Sequence, residues 1–217
     1  MTSAGIRQRQ AKRALDLVIA GSALVALAPV AVLVAVAVRL RLGSPVVFRQ
    51  QRAGVGGRPI DVAKFRSMTD ARGSDGELLP DHDRLTAFGS RLRSSSLDEL
   101  PQLWAIVRGD MSLVGPRPLP LAYVERYSPR QRRRLEAVPG ITGWAQINGR
   151  NAVEWSERLE LDVWYVENRS LRLDLQILAR TVRVVFARSG VSADGHVTMR
   201  EFTGNSDEPT EARNPCD

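Results

Sequence analysis

The sequence predicts an α+β chain, mainly helical, in which an N-terminal re-entrant membrane helix leads into a compact cytosolic domain with a small β-hairpin. Three observations point there. Residues 14–38, ALDLVIAGSALVALAPVAVLVAVAV, carry a single charge, Asp16. Two short strand-like runs, VVFRQ and IDVAKF, flank the turn-rich AGVGGRP. Downstream of these, apolar residues recur at helical rather than strand spacing, in segments ended by Gly or Pro.

With 217 residues the chain can bury one main core. Its net charge is +7, and of 31 basic residues all but Lys12 and Lys64 are arginine. The guanidinium holds carboxylate and phosphate in bidentate fashion, so the expected partners are anionic: nucleotides, nucleic acid or an acidic lipid surface. Cys216 stands alone, which excludes an internal disulfide and a thiolate metal cluster, and His82 and His196 are too few for a His-rich site. The metal chemistry that fits is an oxygen-bound ion such as Mg²⁺.

Residues 1–43 form the basic N-terminus and the membrane segment. As a straight helix, residues 14–38 would measure roughly 37 Å, enough to span a bilayer. Arginines or lysines flank both ends, at Arg7, Arg9, Lys12 and Arg13 and at Arg39, Arg41, Arg49 and Arg52. The positive-inside bias therefore gives neither end a preference for the far side. Pro29, past the middle, removes a backbone donor and permits a helix–break–helix that returns to the face it entered from. Asp16 is expected near the headgroups, paired with Lys12 or Arg13.

Residues 44–204 are expected to form the main folded domain, with amphipathic helices at the membrane surface, and 205–217 a disordered tail. In the hairpin, the glycine-rich loop is a weak anion-binding signal. Residues 69–83 read as a polar, mobile loop. LDELPQLWAIVRG has helical spacing ended by Gly109, and GPRP sets Arg117 between two prolines, either as a turn or as a way to aim one guanidinium. Residues 121–138 read as a charged helix with a basic patch. PGITGWAQINGRN (139–151) is too rich in Gly, Asn and Pro for a regular element. AVEWSERLELDVWYVENRS reads as a helix with packing aromatics. LRLDLQILARTVRVVFARSG (171–190) reads as a basic amphipathic helix suited to an anionic membrane or to packing with one solvated face.

SSSLDELPQLW (94–104) places two carboxylates, Asp98 and Glu99, side by side. Ser96 with Glu99 would make a capping box, but Pro101 would then sit where a helical bond is lost. With Asp98 as cap, Pro101 falls in the first turn, where none is lost. Capping does not account for Glu99 or for the arginines at 91, 93, 108 and 117. Adjacent carboxylates are held by nearby cations, a metal or a helix N-terminus, which are also phosphate-binding elements. The local sequence leaves cap and catalytic pair both open.

Five ordered motifs decide more: KFRSM (64–68), SLDELPQLW (96–104), GDMSLVGPRP (109–118), PGITGWAQINGRN (139–151) and YVEN (165–168). With these the chain, from Lys12 to about Gly204, resembles the bacterial sugar transferase family, the small monotopic polyprenyl-phosphate phosphoglycosyl transferases. The resemblance implies that Asp98, with Glu99 beside it, is the catalytic nucleophile. It would attack the β-phosphorus of a UDP-sugar, release UMP and pass the phospho-sugar to polyprenyl phosphate, as the first membrane step of surface-glycan assembly. It implies Mg²⁺ near Asp98 and Glu99, and cationic substrate-binding residues Lys64, Arg93, Arg117 and Arg150. It also implies a re-entrant helix on the cytoplasmic face of the bacterial inner membrane, with downstream glycosyltransferases as partners. Two positions depart from the family pattern: Ala28 precedes Pro29 where a serine is usual, and Ala105 stands where Asn is frequent. A membrane-tethered nucleic-acid binder, suggested by charge alone, lacks a recognisable binding motif. An inactive scaffold is opposed by the intact dyad and four cations.

Overall fold

The computed structural model describes residues 3–148, 154–186 and 201–204. It is mainly helical, with two small sheets. Helix α1 (Ser3–Leu42) continues through Pro29, so no interruption marks the expected break. It is long and apolar enough to enter a membrane, and only 11% of its most apolar window is buried in the protein. One stripe of α1 nevertheless packs on the domain: Ala20, Ala23 and Leu24 near its middle, Val34 and Val38 near its C-terminal end. Polar clamps fasten the N-terminal half. Arg13 donates to the carbonyls of Ile106 (2.5 Å) and Val107 (2.6 Å), and Lys12 Nζ bonds Asp174 (2.7 Å) and the Val114 carbonyl (3.0 Å). Asp16 pairs with neither Lys12 nor Arg13, contrary to expectation. It is buried and accepts from Ser112 Oγ (2.8 Å) and Leu113 N (3.1 Å), because the helix lies against protein at that depth.

The hairpin forms as the alternation requires. Strands β1 (Val47–Ala53) and β2 (Pro59–Phe65) pair antiparallel, with Phe48 opposite Lys64 and Gln50 opposite Val62. The polar stretch that follows is pinned by backbone bridges Met68↔Leu85 and Arg72↔Leu78 and holds the short α2 (Asp81–Arg84). Helix α3 (Ala87–Ser94) is capped by Thr86, whose hydroxyl accepts from Gly89 N. A 3-10 turn at Leu97–Glu99 leads to α4 (Gln102–Arg108), ended by Gly109 in the left-handed region at φ 96°.

Two sequence readings are corrected here. Residues 121–138 form short turns, at Leu121–Arg126, α5 (Pro129–Arg132) and Arg133–Glu136, rather than one helix. Ser128 and Gln131 make a capping box around Pro129, which restarts the chain instead of continuing it. The Gly-rich PGITGW segment does contain regular structure: β4 (Gly140–Thr142) pairs in parallel with β3 (Ser112–Val114), and α6 (Trp144–Asn148) follows. The glycines permit it. A Cβ on Gly115 would lie 2.2 Å from the Val138 carbonyl oxygen, and one on Gly143 would lie 2.2 Å from that of Gly115. Gly115→Ala is therefore expected to destabilise the fold by about 2 kcal/mol through overpacking, read as a lower thermal midpoint in detergent or nanodiscs. An unchanged midpoint would contradict this tight backbone contact.

Helices α7 (Trp155–Asn168) and α8 (Leu171–Phe186) form within the expected segments; residues 187–190 and the expected tail at 205–217 lie outside the described residues. Trp164 on α7 stacks on Trp144 at 4.5 Å, and Arg180 of α8 lies over the same indole. Leu175 and Val182 of α8 are exposed. Phe202 returns to a cluster with Tyr123, Tyr127 and Trp155.

Candidate active site

A cavity of about 1090 Å³ opens between the hairpin, the turn at residues 96–100, the GPRP loop, α6, α8 and the middle of α1. Its polar end is built from strand alternation. Phe48, Gln50, Arg52, Val62 and Lys64 share one face of the hairpin and all line the cavity, whereas the glycine-rich loop at residues 54–58 does not. That loop, the weak anion-binding signal of the sequence, lies at the opposite end of the hairpin from Lys64.

Both capping readings of the carboxylate pair fail. Ser96 adopts the left-handed region at φ 56° and makes no capping bond, and α4 has Pro101 at its N-cap and no side-chain cap. The left-handed turn, unusual for a serine, instead pushes Asp98 and Glu99 towards the cavity. Their environments differ sharply. Glu99 Oε1 accepts from Lys64 Nζ at 2.5 Å and Arg117 Nη2 at 2.7 Å. Burial alone would raise its pKa, but Arg117 and Lys64 outweigh it and hold it at about 2. Asp98 is buried, and makes no hydrogen bond or ion pair with any described residue. Burial pushes its pKa above the ordinary carboxylate value, with Glu99 adding to the rise and Lys64, Arg93 and Arg117 opposing it. Desolvation and Arg117 lower the Lys64 pKa, and Glu99 opposes them.

The cations are fixed from behind. Arg93 on α3 donates through Nε to the buried Ser67 Oγ at 2.8 Å. In the GPRP loop, the Pro116 carbonyl accepts from Gly140 N (3.0 Å) and the Arg117 carbonyl accepts from Arg134 Nη2 (2.7 Å). Arg134 is fully buried, paired with Asp162 at 2.7 Å and bonded to the Tyr127 hydroxyl. The structure thus brings together Asp98, Glu99, Lys64, Arg93 and Arg117 around one cavity. Arg150 lies outside the described residues.

Sequence reasoning missed Arg52, Arg66, Arg84 and Gln146, which also line the cavity, and Arg134 behind it. Arg52 was accessible once Lys64 was chosen, since hairpin alternation places both on one face. The others carry no local signal. Arrangements of this kind suit phosphoryl chemistry: cations positioned for phosphate oxygens, a carboxylate left unbonded beside them, and a largely apolar remainder. Asp98 and Glu99 also fit Mg²⁺, which binds through one or two carboxylates together with substrate phosphates. Among the described residues no third carboxylate, His or Cys joins them in a metal-binding group.

Comparison with known proteins identifies a family. Residues 7–188 match the bacterial sugar transferase family. The chain is 56% identical over 170 residues to an uncharacterized sugar transferase, EpsL, of Bacillus subtilis, covering 78% of this chain and 84% of that protein. It is 42% identical over 181 residues to a UDP-glucose:undecaprenyl-phosphate glucose-1-phosphate transferase of Caulobacter vibrioides, covering 79% and 68%. With a UDP-galactose-lipid carrier transferase of Erwinia amylovora it shares 41% over 196 residues, 82% of this chain but 41% of the longer relative.

Proposed function

The chain belongs to the bacterial sugar transferase family, and from that premise we propose that it is a phosphoglycosyl transferase that moves a sugar-1-phosphate from a UDP-sugar to undecaprenyl phosphate. The observation that carries the reading is the contrast between adjacent carboxylates: Glu99 locked by two cations, Asp98 buried among three and bonded to no described residue. An Asp98 oxygen attacks the β-phosphorus, the bond to the bridging oxygen breaks, and UMP leaves with that oxygen. An oxygen of undecaprenyl phosphate then attacks the same phosphorus and frees the Asp98 carboxylate. The acyl phosphate between the two steps is a reactive donor, which makes a carboxylate a suitable nucleophile. Lys64, Arg93 and Arg117 bind and orient the diphosphate, and Arg150 is assigned the same role on the family resemblance. Glu99 keeps Lys64 and Arg117 in register. Mg²⁺, held by Asp98 and Glu99 with the diphosphate, would supply charge neutralisation.

The experiment is UMP release from a panel of UDP-sugars with Mg²⁺, with and without undecaprenyl phosphate. One donor giving about one UMP per enzyme without acceptor, and turnover with it, supports the covalent route. Turnover only with acceptor, and no burst, would favour direct transfer; no UMP under any condition would leave an inactive scaffold.

The same proposal places the chain on the cytoplasmic face of the membrane, with α1 re-entrant. Both halves of α1 pack on one domain, through Asp16 and Ala20 on one side of Pro29 and Val34 and Val38 on the other. A spanning helix would carry one of those halves some 30 Å away, across the hydrocarbon core. Between residues 12 and 42 the longest exposed run is 25–29, the turn that Pro29 weakens and the one free to bend into lipid. Ser3→Cys and Ser44→Cys, each in a Cys216→Ser background, are expected to react with an impermeant thiol reagent from the cytoplasmic side only. Labelling of the two from opposite sides would make α1 a true span.

A further inference from the structure

We propose that Arg52 binds the phosphate that is not transferred: that of the departing UMP in the first half of the reaction, and that of the lipid acceptor in the second. The proposal rests on the reading of the chain as a UDP-sugar enzyme. Six cationic side chains line the cavity that contains Asp98, and five of them have a carboxylate at hand. Lys64 and Arg117 pair with Glu99, Arg66 with Asp70 and Arg84 with Asp81, while the charge of Arg93 acts on Asp98. Arg52 has none among the described residues. Its Nη2 donates to the neutral Gln50 Oε1, and the strongest charge acting on it is another cation, Arg117.

The fold holds Arg52 in this place. It shares a face of the hairpin with Gln50 and Lys64, and sits opposite Ile60, which is four residues and roughly 13 Å along β2 from Lys64. The bond to Gln50 turns its half-buried side chain back towards the Lys64 end. Arg52 also bridges Pro120, and Ala53 N donates to the Leu119 carbonyl at 2.9 Å, so the chain just after Arg117 is tied to β1. Glu99 supplies one negative charge to Lys64 and Arg117 together and none to Arg52. Burial lowers the Arg52 pKa and the Arg117 charge lowers it further, so a nearby anion is what would stabilise this guanidinium.

Successive displacements at one phosphorus say which anion that is. Each is in line, with nucleophile and leaving group on opposite faces. Asp98 expels UMP from the face opposite itself, and the acceptor phosphate then attacks from that same face. The two phosphates therefore take the same position in turn, one bridging oxygen from the transferred phosphorus. Lys64, Arg93 and Arg117 all act on Asp98 and Arg52 does not, which sets Arg52 further from the nucleophile, on the side where that second phosphate lies. Its planar fork of N–H groups matches phosphate oxygens.

The test is Arg52→Gln and Arg52→Lys in the full chain in nanodiscs, with wild type alongside. In Arg52→Gln, inhibition by UMP is expected to weaken about 10- to 100-fold, and the KM for undecaprenyl phosphate to rise by a similar factor. Arg52→Lys should fall between that variant and wild type. Inhibition by uridine, which carries no phosphate, should stay within about twofold. The ligand-free thermal midpoint should be unchanged or higher, because Arg117 loses a like-charged neighbour. A loss confined to UMP or to the lipid would overturn the shared position. Unchanged values for both, or an equal loss for uridine and UMP, would overturn the phosphate contact itself. If wild type releases no UMP from any UDP-sugar, the functional reading fails, and the proposal with it.

Discussion

Asp98→Asn is expected to abolish the UMP burst, lowering single-turnover release by at least about 10³-fold, because asparagine offers no anionic oxygen to the phosphorus. The loss should come without destabilisation. A carboxylate whose pKa is raised on folding costs the folded state stability at pH values above that raised pKa, and the cost vanishes below the unfolded value. At neutral pH the amide removes this cost, so the variant's thermal midpoint should equal or exceed that of wild type. In wild type, the burst rate should fall as pH drops through the raised Asp98 pKa, above the range where an ordinary aspartate titrates. Glu99, held at about 2, stays ionised throughout that window. A variant that melts earlier and still bursts would show Asp98 to be a structural group. A burst that persists well below the usual aspartate range would assign the nucleophile elsewhere.

Arg134→Met is expected to cost about 3–5 kcal/mol of stability, since it strips the buried Asp162 of its bonds from a guanidinium that is 1% exposed. In a chain of this size that is a fall in thermal midpoint of roughly 6–20 °C. Arg134 also holds the carbonyl of Arg117, so the donor KM should rise as the cation loses its backing. The double variant Arg134→Met/Asp162→Leu separates the two effects. Replacing a whole buried pair by apolar residues is close to neutral, so most of the midpoint should return while the donor KM stays high. Recovery of both would show that the pair supports the fold alone and leaves Arg117 untouched.

Much of this could be read along the chain because it depends on neighbours in sequence. The apolar run at residues 14–38, the alternation that makes the hairpin, the stop at Gly109 and the ordered motifs of the family all needed only local pattern. Lys64, Asp98, Glu99 and Arg117 stood out as candidates through those motifs, and Arg93, outside them, through the family resemblance alone. Where local pattern misled, a distant contact was responsible. The Gly-rich PGITGW segment forms a strand and a short helix because its glycines let it lie backbone to backbone against Gly115. Asp16, one charge in an apolar helix, finds Ser112 and Leu113 some hundred residues away.

The division of labour between Asp98 and Glu99 is the clearest case. Both are carboxylates on one turn, and nothing local distinguishes them. Glu99 is the paired one because Lys64, 35 residues earlier, and Arg117, 18 residues later, converge on its oxygen, while Asp98 bonds no described residue. The same holds for Arg52, whose face of the hairpin is readable from alternation and whose neighbour Arg117 is supplied only when the chain at Pro120 bridges β1. Residue type and spacing determined which chemistry this protein carries. Which of the two carboxylates is ion-paired was decided by tertiary structure, because ion pairing and desolvation depend on distances through space, not along the chain.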